Sequence, residues 1–281
     1  MLTREKNIYT AESQIKHFKK VLRSMLFGVI NGRHLAYRLF LKDIKADYAQ
    51  AKCGILWDFL EPIVLAVIFV LLRKGKVLNT GGIQIHYGVY VTYGLMLWMT
   101  FTQGLISSIN VMQRSKTLLT QIKTPPESLL IATIYKTAFS SFFRITVLLG
   151  MSLILKSISM VGFIKFLLLY PTIMLTGISA GILFAPFNVL YSDVGKIVNI
   201  VLRPMFYATP VLYATPSIKL FVIFNKFNPP GIVLSNLRTL ATQNTFSDLP
   251  AFIIANTAMI VVFLIGWFVF HLSVPILSNR L

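Results

Sequence analysis

"LYSDVGKIVNIVLRPMFYATPVLY", residues 190–213, sets the terms of the fold. It is mostly apolar, yet it carries Asp193, Lys196 and Arg203 and two prolines, Pro204 and Pro210. A helix surrounded by lipid tolerates both features poorly, because a charge, or a backbone group freed by proline, finds no water there. Such a segment is admissible at membrane depth where it faces protein or a water-filled path. What residues 190–213 are therefore depends on whether the rest of the chain is built for a bilayer.

The composition says that it is. Of 281 residues, 56% are hydrophobic and 13% charged, about half the charge of a soluble domain, and the mean hydropathy is +0.72. A lone Cys53 excludes an intrachain disulfide framework. Lys and Arg number 27 against 9 Asp and Glu, a net charge of +18. In a soluble protein that excess points to nucleic acid. Here the basic residues crowd toward one end, which fits a membrane surface and no nucleic-acid partner. No cleavable signal peptide is read at the N-terminus, because residues 1–28 mix basic and apolar positions without a clean apolar run.

A helix needs about 20 apolar residues to span the hydrocarbon core. Six candidates satisfy or approach this: 54–72, 86–112, 129–155, 163–190, 197–214 and 250–274. The expected fold is an all-α integral membrane protein: a cytoplasmic N-terminal region over 1–52 and a six-span domain over 53–281. Six spans place both termini on one side. That side gathers 16 Lys and Arg against 8 on the other, so the positive-inside rule makes it cytoplasmic. Within 11–30, Ile15, Phe18, Leu22, Met25 and Val29 recur at helical spacing, flanked by Lys16, Lys19, Lys20 and Arg23. This reads as an interfacial helix with its cations at anionic headgroups; a soluble helix packed on a partner is the alternative. The outer loop 215–249 holds two apolar runs too short to span, which suits re-entrant or surface helices.

The chain lacks G-x-x-x-x-G-K-[ST], so it holds no P-loop for ATP. His17, His34, His86 and His271 show no metal spacing, and His86 and His271 read as end-of-span polar residues. No G-x-S-x-G elbow occurs. Intramembrane charge is sparse and therefore informative. Glu61, Lys136 and Arg203 each fall about seven residues into a span, roughly 10 Å below the cytoplasmic boundary at 1.5 Å per residue. They can form one polar layer, either as a structural Glu61–Lys136 or Glu61–Arg203 pair or as surplus positive charge for a substrate phosphate. Arg144, deeper in its span, faces the bundle interior or snorkels. Phe69, Phe206, Tyr207 and Tyr213 sit away from the interfacial belts, where rings pack in a core or stack on sugars.

Three stretches together resemble one family. In "LFLKDIKADYAQAKCGILWDFLEPIVLAVIF", residues 39–69, Gly54, Leu56, Trp57, Leu60 and Pro62 match its lead-in to the first span. In the opening stretch, Asp193, Phe206 and Pro210 match, while Ser192 stands where the family commonly has Arg. In "NPPGIVLSNLR", Asn228, Pro229 and Arg238 match. The chain resembles the permease subunits of type-2 ABC exporters of polysaccharide, the branch of capsular polysaccharide, O-antigen and teichoic acid; "LEP" and "RPMF" are more similar to the capsular members. The resemblance implies two permease copies paired with two copies of a separate ATPase that binds the ATP and Mg. This chain would bind no cofactor or metal and catalyse nothing. Loop 113–128 would be the coupling helix, with Arg114, Lys116, Leu118, Leu119 and Ile122 touching the ATPase. Residues 215–249 would form an outer gate. The substrate would be a lipid-linked glycan moving from the cytoplasm across a bacterial inner membrane, along a channel lined by Phe69, Arg203, Phe206, Tyr207 and Tyr213. Two other readings compete. A membrane transferase acting on a glycan or lipid needs a cluster of acids or histidines at a membrane face. A secondary transporter usually carries internal repeats. An exporter of another substrate within the same family is a further alternative.

Overall fold

The computed structural model describes residues 18–49, 85–115, 125–213 and 219–277, together with positions 57, 60, 63–65, 67, 68, 71, 75 and 118. Numbered among these residues, the helices are α1 (Phe18–Tyr48), α2 (Tyr87–Ile109), α3 (Val111–Arg114), α4 (Glu127–Ile154), α5 (Met160–Leu169), α6 (Pro171–Leu190), α7 (Asp193–Ala208), α8 (Lys219–Lys226), α9 (Pro229–Gln243) and α10 (Leu249–Leu277). No strand occurs among them.

Among the described residues, three rods are long and apolar enough to cross a membrane unaided: Glu127–Ile154, Met160–Leu190 and Leu249–Val274. They coincide with the third, fourth and sixth expected spans. The fourth is two helices in line, α5 and α6, meeting at Tyr170; Pro171 occupies the first position of α6, where its missing N–H has no carbonyl to reach. The second expected span is α2, about 35 Å long at 23 residues. Every residue from Tyr87 to Trp98 is buried. Sheathed by α4, α6, α7 and α9, this helix need not match lipid, so it carries threonines whose hydroxyls donate to their own helix (Thr92 to Gly88 O, Thr100 to Met96 O). The first expected span, 54–72, lies almost wholly outside the described residues.

The most extensive contact joins α2 to α6. A Cβ on Gly177 would collide with the carbonyl of Phe101, and one on Gly181 with the carbonyl of Leu105. The Gly177-x-x-x-Gly181 pair thus lets two backbones approach as no larger residue would allow, a common device where apolar burial cannot itself drive helix association. α10 packs on the opposite side of α6 and leaves Ile253, Ile254, Ile260, Val261, Leu264 and Ile265 exposed, as a lipid-facing surface would.

α1 runs 31 residues, well beyond the expected 11–30 segment. Leu22 of the expected apolar stripe points away from the protein with Leu26 and Ile30. The protein-facing ridge keeps Met25 of that stripe and is otherwise Val21, Gly28, Gly32 and Ala36. Gly28 abuts Glu127, Gly32 abuts Ser128, and Phe40 meets the rings of Tyr135 and Phe139. Contacts that advance together along both helices mean that α1 climbs beside α4 in the same direction. Ile15 and Lys16, and the side chains of Phe18 and Lys20, lie outside the described residues.

Candidate functional site

α7 spans 16 residues, about 24 Å, short of the roughly 30 Å core. It opens four residues before the expected 197, at Asp193, whose carboxylate in the first turn suits the helix dipole. The expected turn 191–196 shrinks to Tyr191 and Ser192, so Asp193 and Lys196 are helical and pair at 3.0 Å on an exposed surface. At 100° per residue α7 has three faces. Val198, Leu202, Met205 and Phe206 pack against the core. Ile197, Ile200 and Val201 are exposed and apolar. Between these faces Ser192, Lys196, Asn199, Arg203 and Tyr207 form an exposed polar stripe within roughly 80°. Phe206 turns inward, its ring edge-on to Trp98 at 5.7 Å, while Tyr207 at 64% exposure stays on the stripe.

Both ends of α7 are held by side chains from elsewhere. At its start, buried Asn188 accepts from the Gly195 N–H at 2.9 Å and donates to the Ile109 carbonyl at 3.2 Å and to Asn110 Oδ1 at 3.1 Å. Gln113 donates to the Asn188 carbonyl at 2.6 Å. One amide thus caps the N-terminus of α7 and the C-terminus of α2 at the point where the chain leaves for the expected coupling loop.

At its far end α7 meets residues of the sequence signature. Asn225 donates to the Ala208 carbonyl at 2.9 Å and Asn228 to Thr209 Oγ1 at 2.9 Å. Arg238, 4% exposed, donates to the carbonyls of Pro210 at 3.1 Å and Val211 at 3.4 Å, and its guanidinium lies 3.5 Å from the centre of the Tyr90 ring. Burial pulls the Arg238 pKa below the usual arginine value, and Tyr90 opposes the pull. Tyr90 and Tyr87 donate to the carbonyls of Tyr213 (2.6 Å) and Leu212 (3.2 Å). Tyr213 donates back to the carbonyls of Tyr207 and Ala208, at 2.9 and 2.8 Å. Asn228, Arg238 and Pro210, far apart in sequence, therefore share one task. Pro229 opens α9, which carries the arginine.

The polar residues toward the other end of the bundle separate into two groups. Lys136 pairs with Asp47 of α1 at 2.5 Å. No described contact joins it to Arg203, which lies on the α7 stripe. Glu61, the third member of the expected polar layer, is outside the described residues, as are Phe69, Gly54, Pro62, Lys116, Leu119 and Ile122. Trp57 is exposed, and Lys19 and Arg23 are exposed on α1, Arg23 over the Phe27 ring. Arg114 ends α3, and Leu118 packs half-buried on the core. Arg144 is buried and donates to Thr100 Oγ1 at 3.2 Å.

The second group was not legible in sequence. His271 Nδ1 lies 2.5 Å from Oε1 of the buried Glu127, and its Nε2 lies 3.0 Å from Ser24 Oγ. Three helices, α1, α4 and α10, meet there. The other end-of-span histidine, His86, caps α2 by accepting from the Gly88 N–H at 3.1 Å. Among the described residues no group of His, Cys, Asp and Glu is placed to hold a metal ion.

The sequence is similar to known proteins. Residues 35–242 match a family model described as ABC-2 type transporter. An O-antigen export system permease protein RfbA of Klebsiella pneumoniae is 26% identical over 213 residues, covering 73% of this chain and 79% of that protein. The protein of the same name from Myxococcus xanthus is 26% identical over 191 residues, covering 66% and 71%. Permeases of this family work with a nucleotide-binding ATPase. The chain belongs to the ABC-2 type transporter family: it is an integral membrane permease subunit of a transporter, not an enzyme.

Proposed function

We propose that two copies of this chain, with two copies of an ATPase, export a lipid-linked polysaccharide across the bacterial inner membrane, with both termini cytoplasmic. The exposed polar stripe of α7 carries this reading. Lys196, Asn199 and Arg203 are too costly to leave in lipid, and the apolar face beside them suits a second copy or lipid. The stripe therefore lines a wet path between copies. Tyr207 supplies a ring for sugars, while Phe206 and Tyr213 stiffen the wall from behind. Phe69 would join this lining from the first span, and Glu61 would complete the polar layer.

Loop 113–128 meets the ATPase through Lys116, Leu119 and Ile122, while Arg114 and Leu118 line a cleft against α1 and α4, and ATP with Mg stays in that partner. Asn188 and Gln113 offer a direct mechanical link from this loop to the start of α7. α1 starts at the membrane interface and rises beside α4, with Leu22 and Leu26 toward lipid. α8 and α9 form the outer gate, seated on the end of α7. The relatives' names favour an O-antigen-type glycan over a capsular one. The test is an Arg203→Gln chain expressed at parental level in cells lacking the permease. The parent restores surface glycan, and the variant restores less than about a tenth of its rate. Full export by the variant removes Arg203 from the path, and normal surface glycan without any permease removes the function itself.

A further inference from the structure

A cleft opens where the end of α2 and the α3 turn meet α1 and α4. Its volume is about 120 Å³, far above the roughly 15 Å³ that a single water needs. Lys42, Arg114 and Lys136 line it from three different helices, and Asp43 is the carboxylate in its wall among the described residues. Asp47 holds Lys136 from the rim. Three cations against Asp43 and Asp47 leave one net positive charge. Neither Lys42 nor Arg114 forms an ion pair among the described residues. The rest of the wall includes Leu39, Val111, Leu118 and Leu129.

Surplus positive charge beside an apolar wall, at the end of a spanning helix, is complementary to an amphiphile with an anionic phosphate headgroup. Arginine suits this ligand because its planar fork matches two phosphate oxygens, and the Lys136–Asp47 bond keeps one wall in place without consuming the other cations. The cleft is separate from the α7 stripe: α7 packs on α2 and α6, whereas the cleft is bounded by α1, α2, α3 and α4.

We propose that this cleft binds the phosphate headgroup of an anionic amphiphile drawn from the cytoplasmic leaflet. Only the choice of leaflet rests on the orientation proposed above. Two sources share the chemistry: a membrane phosphodiester such as phosphatidylglycerol, and a polyprenyl phosphate carrier. The full chain is reconstituted in vesicles of equal phosphatidylglycerol and phosphatidylcholine, extracted in mild detergent, and its retained lipids are counted by native mass spectrometry. The parent retains phosphatidylglycerol over phosphatidylcholine by about tenfold. A K42Q/R114Q chain with an unchanged thermal midpoint loses that preference, and K42R/R114K keeps it. Polyprenyl phosphate that displaces an excess of phosphatidylglycerol from the parent assigns the site to the carrier; failure to displace assigns it to the phospholipid. Equal retention of the two phospholipids by the parent, or undiminished phosphatidylglycerol on K42Q/R114Q, overturns the proposal. Lipid retention is read without export, so it survives or fails independently of the transport function.

Discussion

Asn188→Ala is the substitution that best probes how α7 is held. The wild-type side chain makes three hydrogen bonds in a site where it is 1% exposed: one accepted from Gly195 N–H and two donated, to the Ile109 carbonyl and Asn110 Oδ1. Losing a helix N-cap costs about 1 kcal/mol. Each donated bond contributes about 0.5–1.5 kcal/mol net, and more when its buried partner finds no replacement. The sum is about 2–4 kcal/mol, which SDS titration of the purified chain followed by circular dichroism would measure. Asn188→Asp sharpens the argument. It keeps an oxygen for Gly195, but it turns a second oxygen toward two oxygens that the amide served. Asn188→Asp should therefore cost at least as much as Asn188→Ala, even though the cap survives. An Asn188→Ala chain within about 0.5 kcal/mol of the parent would refute the double cap. An Asn188→Asp chain more stable than Asn188→Ala would show that the two donated bonds carry nothing.

Two further outcomes follow from the packing. Arg238→Lys keeps the charge but loses the flat guanidinium over Tyr90 and the fork onto Pro210 and Val211; it should cost about 2 kcal/mol or more, against about 1 kcal/mol for Tyr90→Phe, and a Lys variant of parental stability removes the clamp. Gly177→Ala drives a Cβ into the Phe101 carbonyl and should abolish the monodisperse peak in size-exclusion chromatography, whereas Gly150→Ala, which meets open space within α4, should be neutral or stabilising by up to about 1 kcal/mol.

Much of the architecture was legible because the bilayer imposes a length and a polarity on every spanning helix. α4, the α5–α6 rod and α10 all announce themselves in the sequence by long apolar runs. The second apolar run of loop 215–249 folds as α9, a helix too short to span. α7 was harder. Its apolar run suggested a helix over 197–214, but the helix starts at Asp193 and stops at Ala208, because the Asn188 cap and the Thr209–Pro210 turn set its ends. The amphipathic reading of α1 was similarly half the answer. A hydrophobic stripe marks the side that avoids water, whereas the side that meets α4 is chosen by small residues, Gly28, Gly32 and Ala36, which carry almost no hydrophobic signal.

The sequence by itself determined the solvent: too little charge for water, several spans, and basic residues gathered at one end. It also placed Arg203 in a segment that lipid alone would not accept. Tertiary structure decided what each polar group does. Lys136 meets Asp47, Glu127 meets His271, Asn188 joins two helix ends, and Arg238 closes on a turn 28 residues away. Hydropathy is a property of a segment and can be summed along the chain. A hydrogen-bond partner is a property of a position in space, fixed only once Gly177 and Gly181 have let α6 and α2 close on each other.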